Sequence, residues 1–93
     1  MKSLIYKKNP RSKVLDLDDE GVIYKENSDE EKLIANTTAM AIWDLVDGQR
    51  TSLEIVQEIA LACGVKCEVI ENDIYEQLAQ FEKLQLIETR SDQ

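Results

Sequence analysis

The stretch from Asn36 to Val56 constrains this chain most, because it writes two helices and the tight joint between them within twenty-one residues. Asn36 or Thr37 is placed to cap a first helix, and Ala39, Ile42, Trp43 and Val46 follow at i, i+3, i+4 and i+7 on one face. Asp47 and Gly48 then supply a left-handed stop. Thr51 and Glu54 form a capping box that restarts the chain as a second helix, where Val56, Ile59, Ala60 and Cys63 make a stripe before Gly64 ends it. With Gly48, Gln49 and Arg50 as the joint, the two stripes can meet, and the outline is a helix-turn-helix.

Upstream, the period of the apolar residues falls to two. Leu15 and Leu17 alternate with Asp16 and Asp18, the cluster Asp19, Glu20, Gly21 reads as a turn, and residues 22–25 read as a returning strand. The polar run Glu26 to Glu31 is a second turn, after which Lys32, Leu33, Ile34 and Ala35 make a third short strand that runs into the first helix cap. Leu4, Ile5 and Tyr6 are candidates for a further strand, but Pro10 and the surrounding charges set them apart, so residues 1–12 read as a loosely ordered end or a first strand. Downstream, Cys67, Ile70, Ile74, Leu78 and Phe81 share a face and predict a third helix from about Glu68 to Lys83. Leu84, Leu86 and Ile87 finish the chain with a short apolar segment suited to cover the sheet or form a wing strand. The expected fold is therefore α+β, a winged helix-turn-helix in which a three-stranded antiparallel N-terminal sheet precedes three helices, as one domain over residues 1–93.

Composition narrows the function. A chain of 93 residues buries only about two thirds of its unfolded surface, so a deep pocket is not expected. It has no histidine, which removes the commonest general base, the commonest metal ligand and any Ser-His or Cys-His dyad. Catalysis is not expected, and neither is a cofactor. Five of the eleven basic residues fall in the first thirteen positions, leaving six against nineteen acidic residues in the remainder, a net charge of −13 there. Such a body repels nucleic acid and anionic membrane and steers basic or neutral partners toward itself. The third helix sharpens the point: Glu68, Glu71, Asp73, Glu76 and Glu82 face Lys83 alone, the reverse of what a DNA-reading helix needs. No run approaches the roughly twenty apolar residues of a membrane span, and the N-terminus lacks a signal-peptide core, so a cytoplasmic location is expected. Cys63 and Cys67 lie four apart with no second pair to complete a zinc site, and they read as reduced thiols, one packed on the second helix and one starting the third; a strained disulfide around Gly64 is the alternative.

The central pattern also carries a family resemblance. A capped Thr37-x-Ala39, then Ile42-Trp43-x-Leu45-x-Asp47-Gly48, then Arg50-Thr51-x-x-Glu54-Ile55-Val56 resembles the PqqD-like proteins, the leader-recognition elements of ribosomally made, post-translationally modified peptides. The match continues more loosely through residues 65–88. The resemblance implies that the leader segment of a precursor peptide binds as an added strand between the third strand and the third helix, while a leader peptidase or modifying enzyme acts on the precursor. Carried onto this sequence, the groove comprises Lys32, Leu33, Ile34 and Ala35 on the strand and Ile70, Asp73, Ile74, Gln77 and Phe81 on the helix. Family leaders of the lasso type offer an aromatic residue and a proline, which implies an apolar notch near Ile74 and a polar partner such as Asp73. Because strand residues alternate in direction, one of Leu33 and Ile34 must pack inward. With no fused catalytic domain expected, the chain resembles a free-standing lasso-peptide subunit. A peptide chaperone of the pyrroloquinoline quinone or radical-enzyme type is the alternative within the family, and a winged-helix module that binds a basic regulator is the alternative outside it.

Overall fold

The computed structural model describes residues 4–26 and 32–89. Most of the expected turn at Glu26 to Glu31 therefore lies outside the described residues.

Eight elements follow in chain order: β1 (Tyr6–Lys8), β2 (Ser12–Leu17), β3 (Glu20–Lys25), β4 (Leu33–Ala35), α1 (Thr37–Leu45), α2 (Ser52–Cys63), α3 (Cys67–Lys83) and β5 (Ile87–Thr89). The arrangement is α+β, with a three-stranded antiparallel sheet in the order β2-β3-β4 and three helices. The sheet plan differs from the expectation in one respect. A second, two-stranded sheet pairs β1 with β5, with Tyr6 opposite Thr89 and Lys8 opposite Ile87. Residues 6–8 thus form a strand, and Tyr6 is buried beneath it. The apolar finish Leu86 and Ile87 is buried where β5 begins.

Local signals set the element ends. The β2–β3 turn is Asp18 and Asp19, with Asp18 in the left-handed region at φ 50°, a conformation that aspartate tolerates. Gly21 belongs to β3 and not to the turn, a correction to the sequence reading. A Cβ built there would meet Met40 Sδ at 2.6 Å and the Leu15 carbonyl oxygen at 3.2 Å, so the glycine lets α1 approach the sheet. Asn36 caps α1 by accepting from the Ala39 N–H at 2.9 Å. Thr51 and Glu54 complete the capping box of α2 in both directions. Gly64, at φ 70°, closes α2 while the Val65 N–H donates to the Ala60 carbonyl. At the end of α3 the same device uses Gln85 at φ 62°, with the Leu86 N–H reaching the Phe81 carbonyl.

The helices bury the stripes that the sequence marks. Ala39, Ile42, Trp43 and Val46 of the first stripe are buried, as are Val56, Ile59 and Ala60 of the second and Ile74, Leu78 and Phe81 of the third. Ile55 joins them and Cys63 does not: the last turn of α2 projects beyond the core, so Cys63 is exposed with Leu61 and Ala62. Trp43 and Phe81 meet edge to face, ring centroids 5.5 Å apart, and Lys8 Nζ lies 5.2 Å from the centre of the tryptophan ring. Both cysteines are free, and Cys67 is half-buried at the start of α3. Among the described residues no helix is long and apolar enough to cross a membrane.

Candidate functional site

The position of β4 in the fold makes it unusual. It pairs with β3 on one side only, and alternate residues of an antiparallel strand turn their N–H and C=O groups to either side. Among the described residues no strand occupies the other side, so backbone donors and acceptors along β4 face an open edge. The register settles which side chains point where. Leu33 and Ala35 pair with Ile23 and Gly21 on the core face, and Ala35 is buried while Leu33 packs against the core. Ile34 pairs with Val22 on the opposite face and is 69% exposed.

Beside this edge run two hollows that share Leu33 and Gln80. One, of about 300 Å³, lies between Leu33, Ile34, Asn36 and Ala39 on one wall and Gln77 and Gln80 of α3 on the other, with Asp19 and Glu20 of the hairpin at its mouth. The next, of about 290 Å³, lies between Lys32 and Leu33 on one side and Gln80, Lys83 and Leu84 on the other. Together they make a shallow trough between the β4 edge and the C-terminal half of α3, in which strand and helix run in opposite directions. Comparable hollows lie beside β5 (about 320 Å³) and under the hairpin next to Met40 and Asp44 (about 360 Å³). Neither borders the open edge of β4, and the trough is therefore the candidate site.

Of the strand residues expected from the sequence, Lys32, Leu33 and Ile34 line the trough, while Ala35 is buried and pairs with Gly21 of β3. The helix wall lies further along. Gln77 lines the trough, but Ile70 and Asp73 are not among its walls; at about 1.5 Å per residue they sit one to two turns toward the start of α3. Ile74 and Phe81 are sealed in the core at 1% and 0% exposure, so they support the floor from beneath and present no open notch. Gln80, Lys83 and Leu84 take the places expected of Ile70 and Asp73. Their signal was present in the sequence as the row Gln77, Gln80, Leu84 at i, i+3 and i+7, a stripe flanking the core stripe.

The electrostatics of the joint between α1 and α2 concern shape more than ligand. Asp47 accepts from the backbone N–H groups of Arg50 and Gln49, and these bonds, with the Arg50 charge, hold its carboxyl below the usual carboxylate range. Arg50 bridges Asp47 and Glu58, which fixes the turn. Burial holds the Tyr6 hydroxyl above its ordinary pKa, assisted by Glu82 and Tyr75.

The comparisons with known proteins bear on the same region. A structure described as TbiB1 in complex with the TbiA(beta) leader peptide superposes with a TM-score of 0.75 over 92% of this chain and 99% of that chain, at 22% identity, a likeness of fold. No curated protein matches the chain. The sequence profile described as coenzyme PQQ synthesis protein D, PqqD, matches residues 16–87, which span the end of β2, β3, β4, all three helices and the start of β5. A match over well more than half of the chain, on the elements that build the trough, shows that this protein belongs to the PqqD family.

Proposed function

We propose that the trough binds an extended peptide as a strand added to β4, and that this peptide is the leader segment of a ribosomally made precursor. The observation that carries the reading is the open edge of β4 walled by α3 in a chain of the PqqD family. The solved relative of the same fold, described in complex with a leader peptide, supports it. In this reading the protein is a non-catalytic, single-domain recognition element of winged helix-turn-helix type, which presents the precursor to a leader peptidase or modifying enzyme in the cytoplasm. A lasso-peptide pathway is the favoured setting, with a radical-enzyme peptide chaperone second. The acidic exposed side of α3, carrying Glu68, Asp73, Glu76 and Glu82, argues against a nucleic-acid partner.

The test is a titration of the ¹⁵N-labelled protein with the leader of a precursor encoded beside its gene. Amide shifts should concentrate at residues 32–35 and 77–84, and Ile34→Pro, with its fold checked by circular dichroism, should weaken binding about tenfold or more by removing the N–H that β4 turns to its open edge and obstructing the incoming strand. Shifts confined to the hairpin around residues 15–24 would place the site elsewhere. Duplex DNA at low salt should give no mobility shift.

A further inference from the structure

The two ends of the trough carry opposite charge. Asp19 and Glu20 border the end beside Ile34 and Asn36, and Lys32 and Lys83 border the end beside Leu33 and Leu84. Among the described residues none of these four charged groups enters an ion pair, and Lys32 rests its ammonium 5.8 Å from the centre of the Tyr24 ring. Charges of opposite sign at either end of a strand-binding edge give the site a direction as well as a shape.

The direction follows from the register. β4 runs from the lysine end toward the carboxylate end, and both pairings within its sheet are antiparallel. A strand added to β4 in the same antiparallel sense, the more stable pairing per residue, enters at Asp19 and Glu20 and leaves at Lys32 and Lys83. From Lys32 to Asn36 is four residues of nearly extended chain, about 13 Å.

We infer that the trough selects its ligand by charge order: an extended peptide with a lysine or arginine on the N-terminal side and an aspartate or glutamate about four residues later. This rests on the strand-addition reading and adds to it the polarity of the bound segment. The apolar stretch between the two charges lies against Leu33 and the aliphatic parts of Gln77 and Gln80. Exposed pairs contribute modestly, about 0.2–0.5 kcal/mol each, with like-charge contacts similarly unfavourable. Exchanging the two charges of a ligand turns two attractions into two repulsions, which corresponds to roughly a fourfold to thirtyfold loss of affinity at low salt.

The experiment needs no knowledge of the natural ligand. A display library of random twelve-residue peptides is panned on the full chain at low ionic strength, and enriched peptides are synthesised with their two charges in the selected and exchanged order. The expected result is enrichment of basic-then-acidic spacing, a fourfold to thirtyfold preference for the selected order, and collapse of that preference in 0.5 M salt. A variant carrying Asp19→Lys, Glu20→Lys, Lys32→Glu and Lys83→Glu, checked for fold by circular dichroism, should prefer the exchanged order. Binders that shift the amides of residues 32–35 without any charge order would overturn this inference and leave strand addition standing. Binders that shift amides elsewhere, or no enrichment at all, would overturn both.

Discussion

Replacing Trp43 with alanine should test the assignment of the α1 face to the core most severely. The ring is 3% exposed, meets Phe81 edge to face at 5.5 Å and carries the Lys8 ammonium 5.2 Å from its centre. Truncation of a buried tryptophan costs about 3–5 kcal/mol through lost burial and the cavity left behind, and the aromatic pair adds about 0.5–1.5 kcal/mol to what is forfeited. A domain of this length is stable by only about 5–14 kcal/mol in all, so the variant keeps at most a fraction of its margin. Urea unfolding followed by far-ultraviolet circular dichroism is the assay, since it does not depend on the fluorophore being removed. With a slope of about 1–3 kcal/mol per molar, the midpoint should fall by more than about 1 M, or the variant should be unfolded from the start. Trp43→Phe should fall between. Lys8→Met keeps the aliphatic stem and removes the charge, so it should cost about 0.5–1 kcal/mol beside Trp43 and nothing beside alanine, a double-mutant cycle that isolates the cation contact. A Trp43→Ala protein with an unchanged midpoint that had lost peptide affinity would refute the core assignment and move Trp43 into the binding surface.

Three further predictions follow from named contacts. Thr51→Ala removes the side-chain half of the α2 capping box and should cost about 1 kcal/mol by chemical denaturation, with Thr51→Ser nearly neutral. Gly21→Val should destabilise by about 1–3 kcal/mol or more because the Leu15 carbonyl cannot move aside, whereas Gly21→Ala paired with Met40→Ala should recover part of the loss, since one of the two obstructions is the flexible end of Met40. The lowered pKa of Asp47 means that its contribution is present above the unfolded value, about 3.9, and is lost as pH falls through the lower folded value; Asp47→Asn should therefore show a flatter stability profile between about pH 5 and pH 2 than wild type.

The helical half of the molecule was readable because its instructions are local. Asn36, Thr51, Glu54 and Gly64 each act within four residues, and the structure uses every one of them as written. The features that escaped depend on partners distant in sequence. Gly21 looks like part of a turn until Met40 is seen lying where its side chain would be. Cys63 keeps the period of a core stripe, yet α2 has outrun the elements it packs on by its last turn. Of the groove residues expected from the sequence, Lys32, Leu33, Ile34 and Gln77 line the trough, and Ile70 and Asp73 lie one to two turns toward the start of α3. The offset between β4 and α3 is fixed by how Ile74, Leu78 and Phe81 seat under the sheet, which periodicity alone does not specify.

The strand β1 also shapes how the molecule opens. On one side it pairs with β5, joining residues 83 apart in the chain, and close beside it the Leu4 and Tyr6 carbonyls accept from the N–H groups of Ser52 and Gly48 at the α1–α2 joint. Closing so long a loop before the helices pack costs chain entropy that a three-residue pairing does not offset, so the seam is expected to form after them and to be the first to part. Because a single three-residue strand serves both neighbours, its departure uncovers the joint and the C-terminal strand together. The amides of Gly48, Ser52 and the β1–β5 pairs should accordingly exchange with deuterium as one unit, at a lower opening free energy than Leu78 or Phe81, and distinct opening energies for the joint and for β5 would show that the seam is not shared.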